Sequence, residues 1–493
     1  MPPVARRTFL KWSALGLGAS VASRHVGSVW AQPAGANDAI RVAVIGFNWR
    51  GDELIQELVK APGVRIAALC DLDPAVLARE VEMLRKLNLT VLATTDVREL
   101  LPRPDIDAFI IATGTRWHAL LTIWACQAGK DVYVEKPVSR TIWEGRQMIA
   151  AAAKYDRIVQ SGTQLRSDTG LAEAVRTINA GELGKIQSIR AIVYRPRDGI
   201  GRRAPWYPDN LNYDLFCGPT PVVPLEREKL HYDWHWSWLT GNGDIGNLGV
   251  HVLDIARRFG PPSGLPRRVI SVGARLGVDD AGETPNTAVV VLDYPGVPVV
   301  FELRGMPAAT KATPETYRGI RNGVVVQCEG GSYAGYVGGT FFDAKGREIR
   351  KVPGDGGATH FENFFAAMRS RRKADLRAPI ETGHGSTSLC HYGNISYRTG
   401  RPAAWRDVQA AFEPVADARS AVEGLGKHLA AHAIDPDRQR LTLGPWIELE
   451  ADRDGIAGVA GGDPALLAKA RGFLQEPQRR PYVIPDLAAE ARI

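Results

Sequence analysis

The 493-residue chain is 45% hydrophobic and 23% charged, an ordinary globular composition that excludes a disordered or fibrous protein and is long enough for two or three domains. Its formal charge of +7 gathers at the start: residues 1–31 hold Arg6, Arg7, Lys11 and Arg24 and no acid. Without them 57 basic residues face 54 acidic ones, a balance of +3 too even to indicate a nucleic-acid partner.

The segment Ala5-Arg6-Arg7-Thr8-Phe9-Leu10-Lys11 is a twin-arginine pattern, followed by a weakly apolar stretch from Trp12 to Ala22. Small residues at Val29 and Ala31 place a signal cleavage after Ala31, so the chain is expected to be exported, periplasmic or secreted. Arg24 and His25 interrupt this stretch, and it falls short of the ~20 apolar residues of a span, so no stable membrane anchor is expected. A linker from Gln32 to Asp38 follows.

Ile40 to Ile45 reads as a first strand entering Gly46-Phe47-Asn48-Trp49-Arg50-Gly51, a G-x-G-x-x-G pattern with Asn48 at the middle glycine. The helix after it, Asp52 to Lys60, presents free amides and a positive dipole end suited to phosphates. A second strand, Val64 to Cys70, ends at Asp71, twenty residues past Gly51. A carboxylate there accepts from both adenosine ribose hydroxyls and repels a 2′-phosphate, which favours NAD over NADP. Asp73 is close enough to share that assignment, and Asp71 also reads as a helix N-cap ahead of Pro74. A helix from Pro74 to Leu87, a strand from Ala108 to Ala112 and a helix from Trp117 to Ala128 continue the β-α alternation, with Thr113 and His118 at the strand-to-helix loop.

The next strand, Asp131 to Val134, runs into Glu135-Lys136-Pro137. The proline fixes φ, so Lys136 stands on a pre-set turn at the carboxyl end of a strand, where open α/β sheets bind ligands. A lysine there can polarise a hydroxyl. A helix from Thr141 to Tyr155 and a last strand near Arg157 to Ser161 lead to Gln164.

The run Ile110 to His118, Asp131 to Pro137, Ser139 to Met148 and Gln160 to Ser167 resembles the Gfo/Idh/MocA family of NAD(P)-dependent sugar and inositol oxidoreductases, in particular its exported bacterial branch. The resemblance covers roughly residues 40 to 400. It implies an N-terminal Rossmann domain (38–165), an α+β domain with a large open, mostly antiparallel sheet (166–375), a helix returning to the Rossmann half (376–400), and an extension (401–493). It also implies cofactor contacts from His118 and Gln164, and a homo-oligomer formed through the outer face of the C-terminal sheet.

The second half changes pattern at about Leu171, with strand-like runs at 186–194, 268–272, 288–292, 298–303 and 323–327. Its densest polar stretch is Leu230-His231-Tyr232-Asp233-Trp234-His235-Trp236-Ser237-Trp238. Its tryptophans alternate as strand residues on one face would. Trp234, His235 and Trp236 read either as a sugar-stacking surface or as a buried aromatic cluster. Asn247 and His251 are four apart and share a face of a helix beginning near Asp244. Inositol-dehydrogenase relatives carry aspartate and histidine at this spacing, the histidine taking the hydroxyl proton; here the aspartate position is Asn247, and Asp254 is a substitute carboxylate. Five well-spaced cysteines, and histidines 231, 235 and 251 in no zinc spacing, indicate no metal. The run Arg369 to Lys373 reads as a solvated helix end, and Asp435 to Ile493 as a mostly irregular wrapping tail.

The expectation is thus an exported NAD-dependent oxidoreductase acting on a sugar, glycoside or cyclitol. Lys136, His251 and Asn247 are its catalytic residues. Gly46, Asn48, Trp49, Arg50, Gly51, Asp71, Thr113, His118, Glu135, Lys136 and Gln164 hold the cofactor, and Trp234, His235, Trp236 and Asp254 the substrate. Two other readings stand: a glycosidase that recycles bound NAD within each turnover, and a non-catalytic sugar-binding relative.

Overall fold

A computed structural model describes residues 39–260, 264–307, 315–450 and 453–490; the expected signal segment and the cleavage expected after Ala31 lie outside them. The first layer begins with β1 (Ile40–Ile45), α1 (Arg50–Val59), β2 (Val64–Cys70), α2 (Pro74–Lys86) and β3 (Leu92–Thr94). It continues through β4 (Ala108–Ile111), α3 (Thr115–Gln127), β5 (Asp131–Val134), α4 (Ile142–Lys154) and β6 (Val159–Ser161). The strands form one six-stranded sheet in the order β3-β2-β1-β4-β5-β6, with every pairing parallel. Helices cover both faces, which is why β4 and β5 are buried at every residue and read as apolar runs without alternation. Chain order reverses between β1 and β4, opening a crevice at the carboxyl ends of those strands. Local signals set the helix starts. The Asp73 carboxylate caps α2 with Pro74 at its first position, and Thr141 and Glu144 form a reciprocal capping box on α4.

The second layer opens with α5 (Thr169–Asn179), β7 (Ile186–Tyr194), α6 (Tyr213–Cys217), α7 (Gly243–Asn247) and α8 (Gly249–Phe259). Strands β8 (Arg268–Ala274), β9 (Thr287–Asp293), β10 (Val299–Arg304), β11 (Asn322–Cys328), β12 (Gly331–Tyr336), β13 (Gly338–Asp343) and β14 (Glu348–Pro353) follow. Then come α9 (His360–Ser370), α10 (Ile380–Thr399), β15 (Arg401–Ala403), α11 (Trp405–Phe412), α12 (Ala416–Ala431), β16 (Leu441–Leu443), β17 (Ile447–Glu450), β18 (Gly455–Val459), α13 (Pro464–Gly472) and α14 (Leu487–Glu490). The twelve-stranded sheet runs β14-β13-β12-β11-β7-β10-β9-β8-β16-β15, with the β17–β18 pair attached to β8. Among the described residues of this sheet, only β7 and β10 pair in parallel. This is the expected Rossmann domain followed by a mixed-sheet domain, with α10 as the returning helix.

The tail from Asp435 is irregular over most of its length but adds β16 and β17 to the large sheet past β8. At β8, β9 and β10 the outer face of that sheet is covered by the chain's own extension. Alternate residues of β9 face opposite cores, Ala288, Val290 and Leu292 inward and Val289 and Val291 outward. The outward set, with Ile270, Val272 and Val300, is covered by Val408 and Phe412 of α11 and Ala421, Val422, Leu425 and Leu429 of α12. Burial on both faces is why these strands show weak alternation in the sequence.

Candidate functional site

A single cavity of about 360 Å³ follows the crevice from Asp71 at one end to His251 at the other. The glycine loop opens it. Gly46 takes φ +77°, and a Cβ there would lie 2.6 Å from Thr113 Cα; a Cβ on Gly51 would fall 2.0 Å from the Gly46 carbonyl. Both positions therefore require glycine for close strand-to-helix packing. No side chain caps α1, which leaves its first amides available to an anion. Asn48 lies at the rim, its side-chain oxygen accepting from Arg79 at 3.4 Å.

Asp71 is buried, and its carboxylate accepts the Phe47 amide at 2.9 Å and the Asp73 amide at 3.0 Å. Burial raises its pKa and these two bonds oppose that rise. The helix cap is Asp73, not Asp71, and the other oxygen of Asp73 meets His231 Nε2 at 2.8 Å. The donor set fits a dinucleotide: a tight glycine turn, open helix amides, a carboxylate at the end of β2, and the buried, unpartnered Gln164 Oε1 on the cavity wall.

At the far end stand the residues of the second strand-end cluster. Glu135 accepts from Arg50 Nε at 3.1 Å, and the same guanidinium bonds Glu53 and Glu57. Lys136, followed by a cis proline, donates from Nζ to the Asn247 carbonyl at 3.1 Å and to Asn247 Oδ1 at 3.2 Å. Burial lowers its pKa, opposed by Glu135. His118 meets the Pro137 and Thr113 carbonyls at 2.8 and 2.9 Å, tying the β4 and β5 loops together while lining the cavity.

Asn247 and His251 do not share one continuous helix: α7 ends at Asn247 and α8 begins at Gly249. Both still line the cavity beside Lys136. His251 Nδ1 is buried with no partner, and burial, then repulsion from Lys136, holds the imidazole well below its ordinary pKa. The Asn247 amide donates to Asp244 Oδ1 at 3.2 Å while its oxygen accepts from Lys136. The amide both donates and accepts here, which an ionised carboxylate cannot do, a physical reason for asparagine in place of aspartate. Asp244 is itself held by Arg197 at 2.6 and 3.0 Å.

Several expected substrate residues fall elsewhere. Asp233–Trp236 is a 3₁₀ turn rather than a strand, so the tryptophans do not share a face. Trp234 and His235 line the cavity, their rings stacked 3.7 Å apart. Trp236 is 4% exposed, with Arg197 over its ring at 5.1 Å; it packs inside and is not among the lining residues. Asp254 is also absent from the lining: Arg166 binds it at 2.9 Å and Ser386 donates to it, so it does not act as the missing carboxylate.

The sequence reading missed Arg197, Asp244, Tyr232 and Arg116. Tyr232 lies on the cavity wall with φ +64°, its ring 5.2 Å from the exposed Trp49. Its strained backbone has no composition signal, and Arg197 meets Asp244 across 47 positions. The loop after β7 also crosses the crevice: Leu211, Leu215 and Phe216 line the Asp71 end. They are anchored by Arg116 Nε to the Phe216 carbonyl at 2.6 Å, Trp117 Nε1 to the Leu215 carbonyl at 2.8 Å, and the His231–Asp73 contact.

Residues 40–163 match a family model described as an oxidoreductase family with an NAD-binding Rossmann fold. A Glycosyl hydrolase family 109 protein of Shewanella sp. (strain W3-18-1) is 34% identical over 151 residues, 28% of this chain and 33% of that protein. Its counterpart in Shewanella baltica (strain OS155) is 35% identical over 125 residues, 24% of this chain and 27% of that protein. The match therefore spans about a third or less of these relatives. Among solved structures, the WlbA dehydrogenase from Bordetella pertussis, determined with NADH and UDP-GlcNAcA, aligns with TM-score 0.55 at 18% identity over 73% of this chain and 97% of that one. An oxidoreductase domain protein from Kribbella flavida aligns with TM-score 0.54 at 20% identity, over 71% and 95%. These two likenesses establish a shared fold.

Proposed function

We propose, from the match of residues 40–163 to an oxidoreductase family with an NAD-binding Rossmann fold, that this chain moves a hydride between a nicotinamide dinucleotide, NAD in preference to NADP, and a carbon-bound hydroxyl of a sugar, glycoside or cyclitol. One observation carries the reading. A single cavity joins the glycine loop and Asp71 to an end lined by both Lys136 and His251, whose Nδ1 has no hydrogen-bond partner. Bound there, the nicotinamide supplies the hydride acceptor. Lys136, fixed by two bonds to Asn247, presents a positive charge to the substrate oxygen and stabilises it as its proton leaves. His251, kept neutral by burial and by Lys136, accepts that proton at Nδ1. Asp244 and Arg197 hold the Asn247 side chain, so the ammonium cannot swing away. Trp234 and His235 form an apolar wall that a pyranose face can cover.

A second reading is favoured by two findings: the strap of residues 211–231 over the Asp71 end, and the glycosyl hydrolase designation of the Shewanella relatives. The same site would then oxidise a glycoside to the ketone, eliminate the aglycone, add water to the resulting double bond and return the hydride to the ketone, with the dinucleotide retained. Export through the twin-arginine pattern suits a retained cofactor, since the chain crosses folded. The test is to incubate the purified protein with free sugars, cyclitols and glycosides and to follow reduced nicotinamide and products together. Net reduction with free sugars supports the dehydrogenase, and sustained glycoside cleavage without net reduction supports the second reading. Neither reaction with any of them would overturn both in favour of a binding protein.

A further inference from the structure

Arg116 is 3% exposed, and its Nη1 is buried without a hydrogen-bond partner. Its Nε donates to the Phe216 carbonyl, and the guanidinium stacks on the Phe216 ring at 4.1 Å. No carboxylate pairs with it among the described residues. The neighbouring charges are Arg227 and Arg140, and burial lowers its pKa to about 10. A buried cation without an anion is costly, and Arg116 lines the cavity.

Its place along the cavity is fixed from two sides. A Cβ on Gly114 would meet Arg116 Nη1 at 2.5 Å, and Gly114 follows Thr113, whose Cα abuts Gly46. On the other side, Phe216 packs in one apolar cluster with Leu72, the neighbour of Asp71. The guanidinium therefore lies between the glycine turn and the ribose-binding carboxylate. The other cations on the cavity wall are otherwise placed. Arg50 is taken by Glu53, Glu57 and Glu135, Lys136 is held at the reactive end by Asn247, and Arg195 is solvent-exposed. The amides at the start of α3, which no side chain caps, open beside it.

We propose that Arg116 is the counter-charge for the pyrophosphate of the bound dinucleotide, compensating for the occupied Arg50 and for Asn48 at the middle glycine position. The inference rests on the dinucleotide reading of the cavity. It makes Arg116 both an anion ligand and the link between cofactor and strap: the phosphates would be held by a guanidinium that also grips Phe216.

The test is calorimetric titration of the full chain, freed of copurified nucleotide, with adenosine, ADP and ADP-ribose. Wild-type protein should bind ADP more tightly than adenosine, with ADP affinity falling as salt rises. Arg116→Gln should weaken ADP and ADP-ribose at least tenfold and adenosine less than threefold, and Arg116→Lys should recover part of the loss. Phe216→Ala, which keeps the guanidinium and loosens the strap, should affect adenosine and ADP alike. The proposal is overturned if Arg116→Gln, or Arg116→Lys should the glutamine variant not fold, binds ADP like wild type or loses adenosine and ADP in equal measure. Wild-type protein that binds neither ligand would overturn the dinucleotide reading as well.

Discussion

Replacing Lys136 by alanine removes the charge on which the proposed chemistry turns, and the structure sets the size of each consequence. The ammonium donates two bonds, to the Asn247 carbonyl and to Oδ1. A preorganised donor aimed at developing negative charge is worth about 10²–10³ in rate, or ~3–4 kcal/mol. Turnover should therefore fall by about three orders of magnitude. Stability moves less: the stranded Asn247 acceptors cost about 1–3 kcal/mol, offset by relief from a buried cation whose pKa burial already lowers. ADP-ribose affinity should stay within about threefold, because a ~0.6 kcal/mol change is all that loss of a distant charge leaves after screening. The imidazole gives a further readout. Lys136 is the largest charge holding His251 low, so the alanine variant should titrate His251 at higher pH in a histidine-resolved NMR experiment. Turnover within tenfold of wild type, or a His251 pKa that does not rise, would refute the assignment.

Asp71→Asn removes the charge that repels a 2′-phosphate; two charges ~5 Å apart at an effective dielectric near 20 interact by ~3 kcal/mol. The preference for NAD should shrink by on the order of 10²-fold, read from NAD and NADP affinities; an unchanged ratio would contradict the ribose role. Acid should destabilise the fold through His360 and His391, whose folded pKa values burial pushes to about 4 and 3. Unfolded imidazoles take protons from about pH 6.5 downward while these do not, so the stability present above that pH is lost below it, by ~3 kcal/mol in all between pH 7.5 and 5.5. Denaturant titrations at those two pH values check it, and equal midpoints would count against buried neutral histidines. Phe412, wholly buried between α11 and the sheet, should cost about 3–5 kcal/mol as Phe412→Ala. A loss under 1 kcal/mol would show that the extension is not integral to the domain.

The strands and helices of the Rossmann half were legible because their signals are local. Ile40–Ile45, Val64–Cys70 and Asp131–Val134 are apolar runs bounded by turn residues, and they appear with those limits. The placement of Lys136, Asn247 and His251 around one cavity was legible through the family resemblance, whereas the four-residue spacing suggested one continuous helix where α7 and α8 are separate. Long-range pairing hid the rest. No local pattern shows that Asp254 faces Arg166 rather than His251, or that Arg197 reaches Asp244. The segment 234–238 misled because alternating tryptophans fit a strand, while the Thr240 hydroxyl donating to the Trp234 carbonyl and Tyr232 at φ +64° bend it into a turn. The covering helices α11 and α12 were missed because their apolar residues, spread among many alanines, match a sheet face that only the folded chain presents.

The central claim is that hydride leaves a substrate carbon inside this cavity. The most direct measurement uses glycosides and free sugars carrying deuterium at each ring carbon in turn, with turnover rate and the fate of the label followed together. The account predicts a primary isotope effect at the carbon that is oxidised, with that deuterium found on the nicotinamide or returned to the same carbon, and the same effect on a turnover about three orders of magnitude slower in Lys136→Ala. Turnover that proceeds with no isotope effect at any carbon, and with no label reaching the nucleotide, would contradict it.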